Sequence, residues 1–275
     1  TEDSGFFFPT ISGVARSLNF YPIGDEKPED GIANIALGLG KLVVEGGQTL
    51  RFSPRYPKNV LQLSATDLAL RDTQREMYAL SLKPEEFKTS IDDAVNLKRF
   101  EINSPTAKAF RNMRYVASTW DMQNQSISDS SFTEGRKIIT FAHVLKYDTF
   151  PLAEILRDLL AMGSAEMRTP VEMEFAINMD VPYGRDKIFN FLQIRPIVDT
   201  QGTSTLDWSK VDTSGAIIYA KDALGIGAIE DVRDIIYIKQ EVFDTRHTDI
   251  MAAEIRKLNT KMRDEKAGYI LVGPG

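Results

Sequence analysis

Two short runs with opposite duties on alternate residues constrain this chain more than any other feature. They are PVEMEFAINM at residues 170–179 and FNFLQIRPIV at 189–198. Side chains of a β-strand point to alternate faces. Glu172, Glu174 and Ala176 therefore share one side, and Met173, Phe175 and Ile177 share the other. The same alternation in the second run groups Gln193 and Arg195 with Phe189, Phe191 and Ile197. Between the runs, Met179 to Lys187 contains Pro182 and Gly184, so the pattern predicts an antiparallel hairpin with a long loop. If the polar sides coincide, two carboxylates face a guanidinium and a carboxamide across neighbouring strands. Carboxylates suit a hard cation such as Mg²⁺, and the planar fork of Arg suits phosphate oxygens. A solvent-facing cross-strand ion pair satisfies the same spacing. Spacing alone leaves both readings open.

The rest of the chain reads as an α+β fold, a mixed or antiparallel sheet with packed helices, in two parts: 1–200, and a small α/β unit at 205–275. Residues 9–63 read as strands and turns, with Ile35–Leu37 and Leu42–Val44 flanking the bend Gly38-Leu39-Gly40. That bend fits neither phosphate-loop pattern. Lys41 is followed by Leu42, and Val43 stands where a dinucleotide fingerprint needs its third glycine. Residues 64–145 read as an insertion, with a helix at Asp67–Leu82, a helix start at Ser104-Pro105 and an exposed loop at 122–135. Arg111 and Arg114 lie at helical spacing and read as a solvated basic face or as phosphate contacts. His143, inside an apolar run, reads as a core or strand histidine. Pro151 to Met162 carries Leu152, Ile155, Leu156, Leu159 and Leu160 at helical spacing, with Gly163 as the expected stop. In the second part, Ala216–Ala220, Asp234–Lys239 and Tyr269–Val272 read as strands around a helix at Thr248–Lys266.

Composition narrows the function classes. A net charge of −6 excludes a general nucleic-acid binder, which carries a basic excess. No apolar run reaches the roughly 20 residues that span a bilayer. With no cysteine there is no disulfide and no thiolate metal site, which fits a cytoplasmic protein. The chain opens at Thr1 and closes on Gly273-Pro274-Gly275 just after an apolar strand, and the expectation is a piece of a longer protein.

The acidic-x-Glu-aromatic-Ala-Ile pattern at Glu172–Ile177, followed by Leu192-Gln193-Ile194-Arg195-Pro196-Ile197, resembles the end of the ATP-grasp nucleotide-binding domain of the phosphoenolpyruvate synthase and pyruvate phosphate dikinase family. Residues 11–54 resemble another block of that family, from Ser12-Gly13-Val14-Ala15 through Gly38-Leu39-Gly40 to Val43-Val44. The resemblance implies the C-terminal part of that domain, binding ATP and Mg²⁺. It implies Glu174 and Glu172 on the metal, Gln193 beside the transferring phosphates and Arg195 on phosphate oxygens. Such a parent phosphorylates a histidine from ATP and passes the group to pyruvate, forming phosphoenolpyruvate, with help from other domains of the same chain; the fragment alone is expected to be inactive. Lys41 stands where the family has a glutamate, Asn34 where it has an acidic residue, and Arg16-Ser17-Leu18-Asn19-Phe20 replaces its usual continuation. These departures also admit a degenerate module that binds without catalysis. The phosphohistidine signature is missing around His247, which reads as an ordinary residue near a helix start.

Overall fold

The structure, a computed structural model, describes residues 2–90, 93–197, 214–218, 232–239, 243–244 and 247–273. They fall into two compact units, Thr1–Val198 and Asp199–Gly275. The first begins with β1 (Glu2–Asp3), β2 (Phe6–Phe7), β3 (Ile11–Arg16), β4 (Ile32–Ala36), the one-turn helix α1 (Lys41–Val44) and β5 (Leu50–Phe52). Next come α2 (Thr66–Asp72), β6 (Glu76–Ser81), β7 (Leu97–Glu101), α3 (Pro105–Ala109), α4 (Met113–Val116), β8 (Ala117–Asp121), β9 (Ser126–Ser128) and β10 (Arg136–Ile139). It closes with α5 (Ala142–Leu145), α6 (Leu152–Met167), β11 (Val171–Asn178) and β12 (Ile188–Pro196). The expected α+β class is the one observed.

The central sheet has the order β12-β11-β3-β4-β5 and is antiparallel throughout. Smaller sheets run β1-β2-β6-β7 and β10-β8-β9. One face of β11 (Val171, Met173, Phe175 and Ile177) is fully buried, together with Leu152, Leu156 and Leu160 of α6. Leucines four residues apart lie on one helical stripe, and each contributes about 2 kcal/mol by leaving water. Met77 and Ala79 of β6 and Phe110 after α3 join the same core, so residues 64–145 share it with the central sheet. The second unit contains β13 (Val232–Tyr237), α7 (Thr248–Asp264) and β14 (Gly268–Val272), the two strands pairing in parallel. Along α7, Met262 is buried while Leu258 is 41% exposed.

Several local expectations are corrected. The expected helix at 67–82 stops at Asp72 and the chain turns into β6. Gln74 causes the break, because its buried carboxamide accepts from the Leu37 amide at 2.8 Å and donates to the Leu37 carbonyl at 2.8 Å. Leu42–Val44 forms helix α1 in place of a strand, with Leu42 buried and a Lys41–Glu45 ion pair at 2.7 Å along its side. Gly163 lies inside α6. A Cβ there would come within 2.6 Å of Ile194 Cδ1 and Met173 Cε, so this glycine lets the helix settle onto the hairpin, and Arg168 in the left-handed region ends the helix instead. The loop at 122–135 is largely exposed, as expected, but includes the short strand β9. Ser104 caps α3 through the Ala107 amide at 3.3 Å, as its position before Pro105 predicted. Residues 216–218 are not a strand, and 219–220 lie outside the described residues.

Candidate nucleotide site

The hairpin forms as the alternation predicted, and its register sets the site. Glu172 lies opposite Arg195, and Glu174 opposite Gln193. Pairing then slips by one residue between Glu174 and Phe175, leaving Leu192 as an extra residue in β12. A bulge of this kind reverses the alternation beyond it. Phe191 and Phe189 thus lie opposite Phe175 and Ile177, and Phe189 stacks on Phe175 with ring centroids 5.3 Å apart. The expected sharing of one face by Gln193, Arg195 and both phenylalanines is corrected on this ground.

On its other edge β11 pairs with β3, which extends the polar face. Three rows cross it: Arg195–Glu172–Arg16, Gln193–Glu174–Val14–Asn34, and Asn190–Ala176–Ser12–Ala36. Glu172 is buried, and both of its carboxylate oxygens are taken. Arg195 Nε donates to Oε1 at 2.7 Å and Arg195 Nη2 to the same oxygen, while Arg16 Nε donates to Oε2. Burial disfavours the ionised carboxyl, but the hydrogen bonds from Arg195 and Arg16 outweigh it and hold Glu172 below the usual carboxylate range. The bond to Glu172 correspondingly raises Arg195. Two guanidinium groups on one carboxylate leave a net positive charge on this part of the face.

Glu174 is half-buried, and among the described residues no hydrogen bond or ion pair holds its carboxylate. It borders a cavity of about 310 Å³, near the lower end of the roughly 300–1,000 Å³ typical of small-molecule sites. The row Asn190–Ala176–Ser12 contributes to its lining, where the small side chains of Ala176 and Ser12 leave room. Leu39, Val43, Val44 and Leu192 supply apolar wall. Gly40 also lines it, and a Cβ on Gly40 would meet nothing nearer than Ser12 Cβ at 3.9 Å. Ser12 is 4% exposed, and among the described residues its Oγ has no hydrogen-bond partner. A buried hydroxyl left unpaired costs about 1–3 kcal/mol, and this one belongs to the cavity lining.

Other expected residues lie elsewhere. Gln193 is exposed and does not line the cavity. Asn34 opens on a separate hollow of about 690 Å³, beside Thr49 and Arg51. Lys41 pairs with Glu45 and places its ammonium 5.7 Å from the Tyr78 ring centre. Arg111 and Arg114 are solvent-exposed, as a solvated face requires, and converge on the buried Asp180 carboxylate at 3.1 and 2.8 Å. His143 sits on α5, half-buried, its ring tilted against Tyr147. His247 precedes α7 and lies 3.7 Å from Asp244. Among the described residues, no group of three or more His, Cys, Asp or Glu side chains is placed to hold a metal ion, and no helix is long and apolar enough to cross a membrane.

The sequence reading missed Arg16 and Ser12 as site residues. The signal was present, because period two places Ser12, Val14 and Arg16 on one face. What it lacked was the partner strand that decides which face is open.

The α+β build, an antiparallel central sheet with a helix on its apolar side, is consistent with an ATP-grasp-like domain. A family model described as the pyruvate phosphate dikinase AMP/ATP-binding domain matches residues 5–213, and the chain belongs to that family. No curated protein matches the chain.

Proposed function

We propose that the first unit binds magnesium–ATP over the polar face of the central sheet, as the C-terminal part of the nucleotide-binding domain of a cytoplasmic phosphoenolpyruvate synthase-like phosphotransferase. One observation carries this reading above the others. Glu174, a carboxylate with no hydrogen bond or ion pair among the described residues, borders a cavity, and the register puts Arg195 on the same face of the sheet. A single free carboxylate fits a magnesium ion that arrives on a triphosphate, since such ions keep phosphate and water ligands beside one or two protein carboxylates.

In this reading Glu174 holds the ion. Both Glu172 oxygens already accept from guanidinium groups, so Glu172 acts by holding Arg195 and Arg16 in place. Arg195 neutralises phosphate oxygens, and Gln193, opposite Glu174, orients them. The apolar wall around Leu39, Val43 and Leu192 takes the base. Bound magnesium would supply neutralisation of the charge that spreads over phosphate oxygens during transfer. Other domains of the parent would provide the histidine that accepts the phosphoryl group and the pyruvate site, so this chain alone does not turn over.

Calorimetry with ATP, with and without Mg²⁺, tests the reading. Binding strengthened by magnesium is expected, and Glu174→Gln should remove the magnesium dependence and weaken binding about tenfold. Equal ATP affinity in wild type and Glu174→Gln would refute the assignment. Lys41 and Asn34 in family acidic positions favour a second reading, a module that binds nucleotide without catalysis. Binding in a parent that fails to phosphorylate any acceptor would select it.

A further inference from the structure

A second cavity, of about 730 Å³, lies among β6, β7 and β10 and shares no lining residue with the one beside Glu174. Among the described residues, five cations line it: Arg75, Arg99, Lys108, Arg136 and Lys137. The acids in the lining are Glu76 and Glu101. Arg99 pairs with Glu76 at 2.8 Å. Among the described residues, the other four cations have no carboxylate within ion-pair reach.

The local backbone fixes this grouping. Gly135, with φ +139°, turns the chain into β10 immediately before Arg136 and Lys137, and a Cβ there would lie 2.5 Å from the Trp120 carbonyl. The Lys137 amide donates to Asn103 Oδ1 at 2.8 Å, and Asn103 Nδ2 donates to the Lys137 carbonyl at 2.9 Å. This clip ties β10 to the turn after β7. Lys137 Nζ donates to Thr119 Oγ1 at 2.8 Å and to the Thr133 carbonyl. Burial, and then the charge of Lys108, hold the Lys137 ammonium below its usual range. Among the described residues, five cations thus stand against two carboxylates in the lining, one of them taken up by Arg99.

The lining also limits the ligand. Among the described residues, Ile138 is its one aliphatic side chain and none is aromatic, so the lining offers no apolar anchor. A protein partner would need such an anchor at the centre of its contact. Charge and hydrogen bonds remain as the means of recognition. We infer that this cleft binds a compact inorganic oligophosphate. The site is independent of the proposed ATP site.

Titration calorimetry of the 275-residue chain with sodium triphosphate, in magnesium-free buffer, tests the inference. The wild-type chain should bind, and Lys108→Ala and Arg136→Ala should each weaken binding about fivefold or more. Arg195→Gln should leave this binding in place. Lys108 and Arg136 are both exposed, so thermal melts should match the wild type. Lys108→Glu, which reverses the charge, gives a second variant expected to abolish binding. No binding to the wild-type chain, binding that the Lys108 and Arg136 variants leave unchanged, or loss in Arg195→Gln alone would each overturn the inference. A failure of ATP to bind in the experiment on Glu174 would leave it standing.

Discussion

Replacing Ser12 by Ala removes one buried oxygen and almost nothing else, which makes it the sharpest probe of the cavity. Among the described residues the Ser12 Oγ has no hydrogen-bond partner in the protein, and an unpaired buried hydroxyl costs about 1–3 kcal/mol. Its removal should therefore stabilise the ligand-free first unit by about 1 kcal/mol. For a unit of this size that raises the melting temperature by about 2–4 °C. With ATP bound, this gain should be lost. If the hydroxyl bonds the nucleotide, its loss removes about 1 kcal/mol of binding, close to a fivefold rise in Kd. Differential scanning calorimetry and ATP titration on the same two proteins read both effects. A variant that melts lower than wild type without ligand, or one that binds ATP with unchanged affinity, would refute the assignment of Ser12 to the ligand. Higher free stability together with weaker binding would mark a polar group kept for the ligand at the expense of the fold.

Two further substitutions test the framework. Glu172→Gln leaves two guanidinium groups without their shared carboxylate and should destabilise the first unit by about 2 kcal/mol at neutral pH, less than a fully buried pair because both arginines reach solvent. The folded-state pKa of Glu172 is depressed, so its contribution is fully present above the unfolded carboxyl value of about 4.3 and is lost as pH falls through the folded value. Urea midpoints of wild type and Glu172→Gln should therefore converge towards low pH, and a gap constant down to about pH 2 would contradict the ion-pair account. Gly13→Ala would place a Cβ 2.3 Å from Phe175 Cζ. The ring, already stacked on Phe189, would have to move, and overpacking of this kind should cost about 2 kcal/mol in urea unfolding; an unchanged midpoint would show that the ring yields freely.

The polar half of the site was legible because a strand writes its two faces into every second residue. Glu172 and Glu174 needed only period two to share a side, and the breakers between Met179 and Lys187 gave the hairpin. The slip at Leu192 was hidden, since a bulge changes the parity of the strand without requiring any particular residue. The end of the expected helix after Asp67 was hidden for a different reason. Gln74 breaks it by bonding Leu37, 37 residues away, and no local propensity records such a partner. Gly163 read as a stop because glycine ends helices often, whereas here it serves the close approach of Ile194 and Met173.

Residue order alone set the alternation of the hairpin, the stripe of α6 and the face shared by Ser12, Val14 and Arg16. These follow from fixed periods of 2.0 and 3.6 and need no distant contact. Tertiary structure decided which charges are spent and which stay open. Glu172 and Glu174 are chemically alike and two residues apart, yet the pairing of β3 beside β11 gives Glu172 a second arginine and places Glu174 opposite Val14, beside a hollow. An ion pair depends on where two backbones lie in space, and that position is fixed only when the whole sheet has closed.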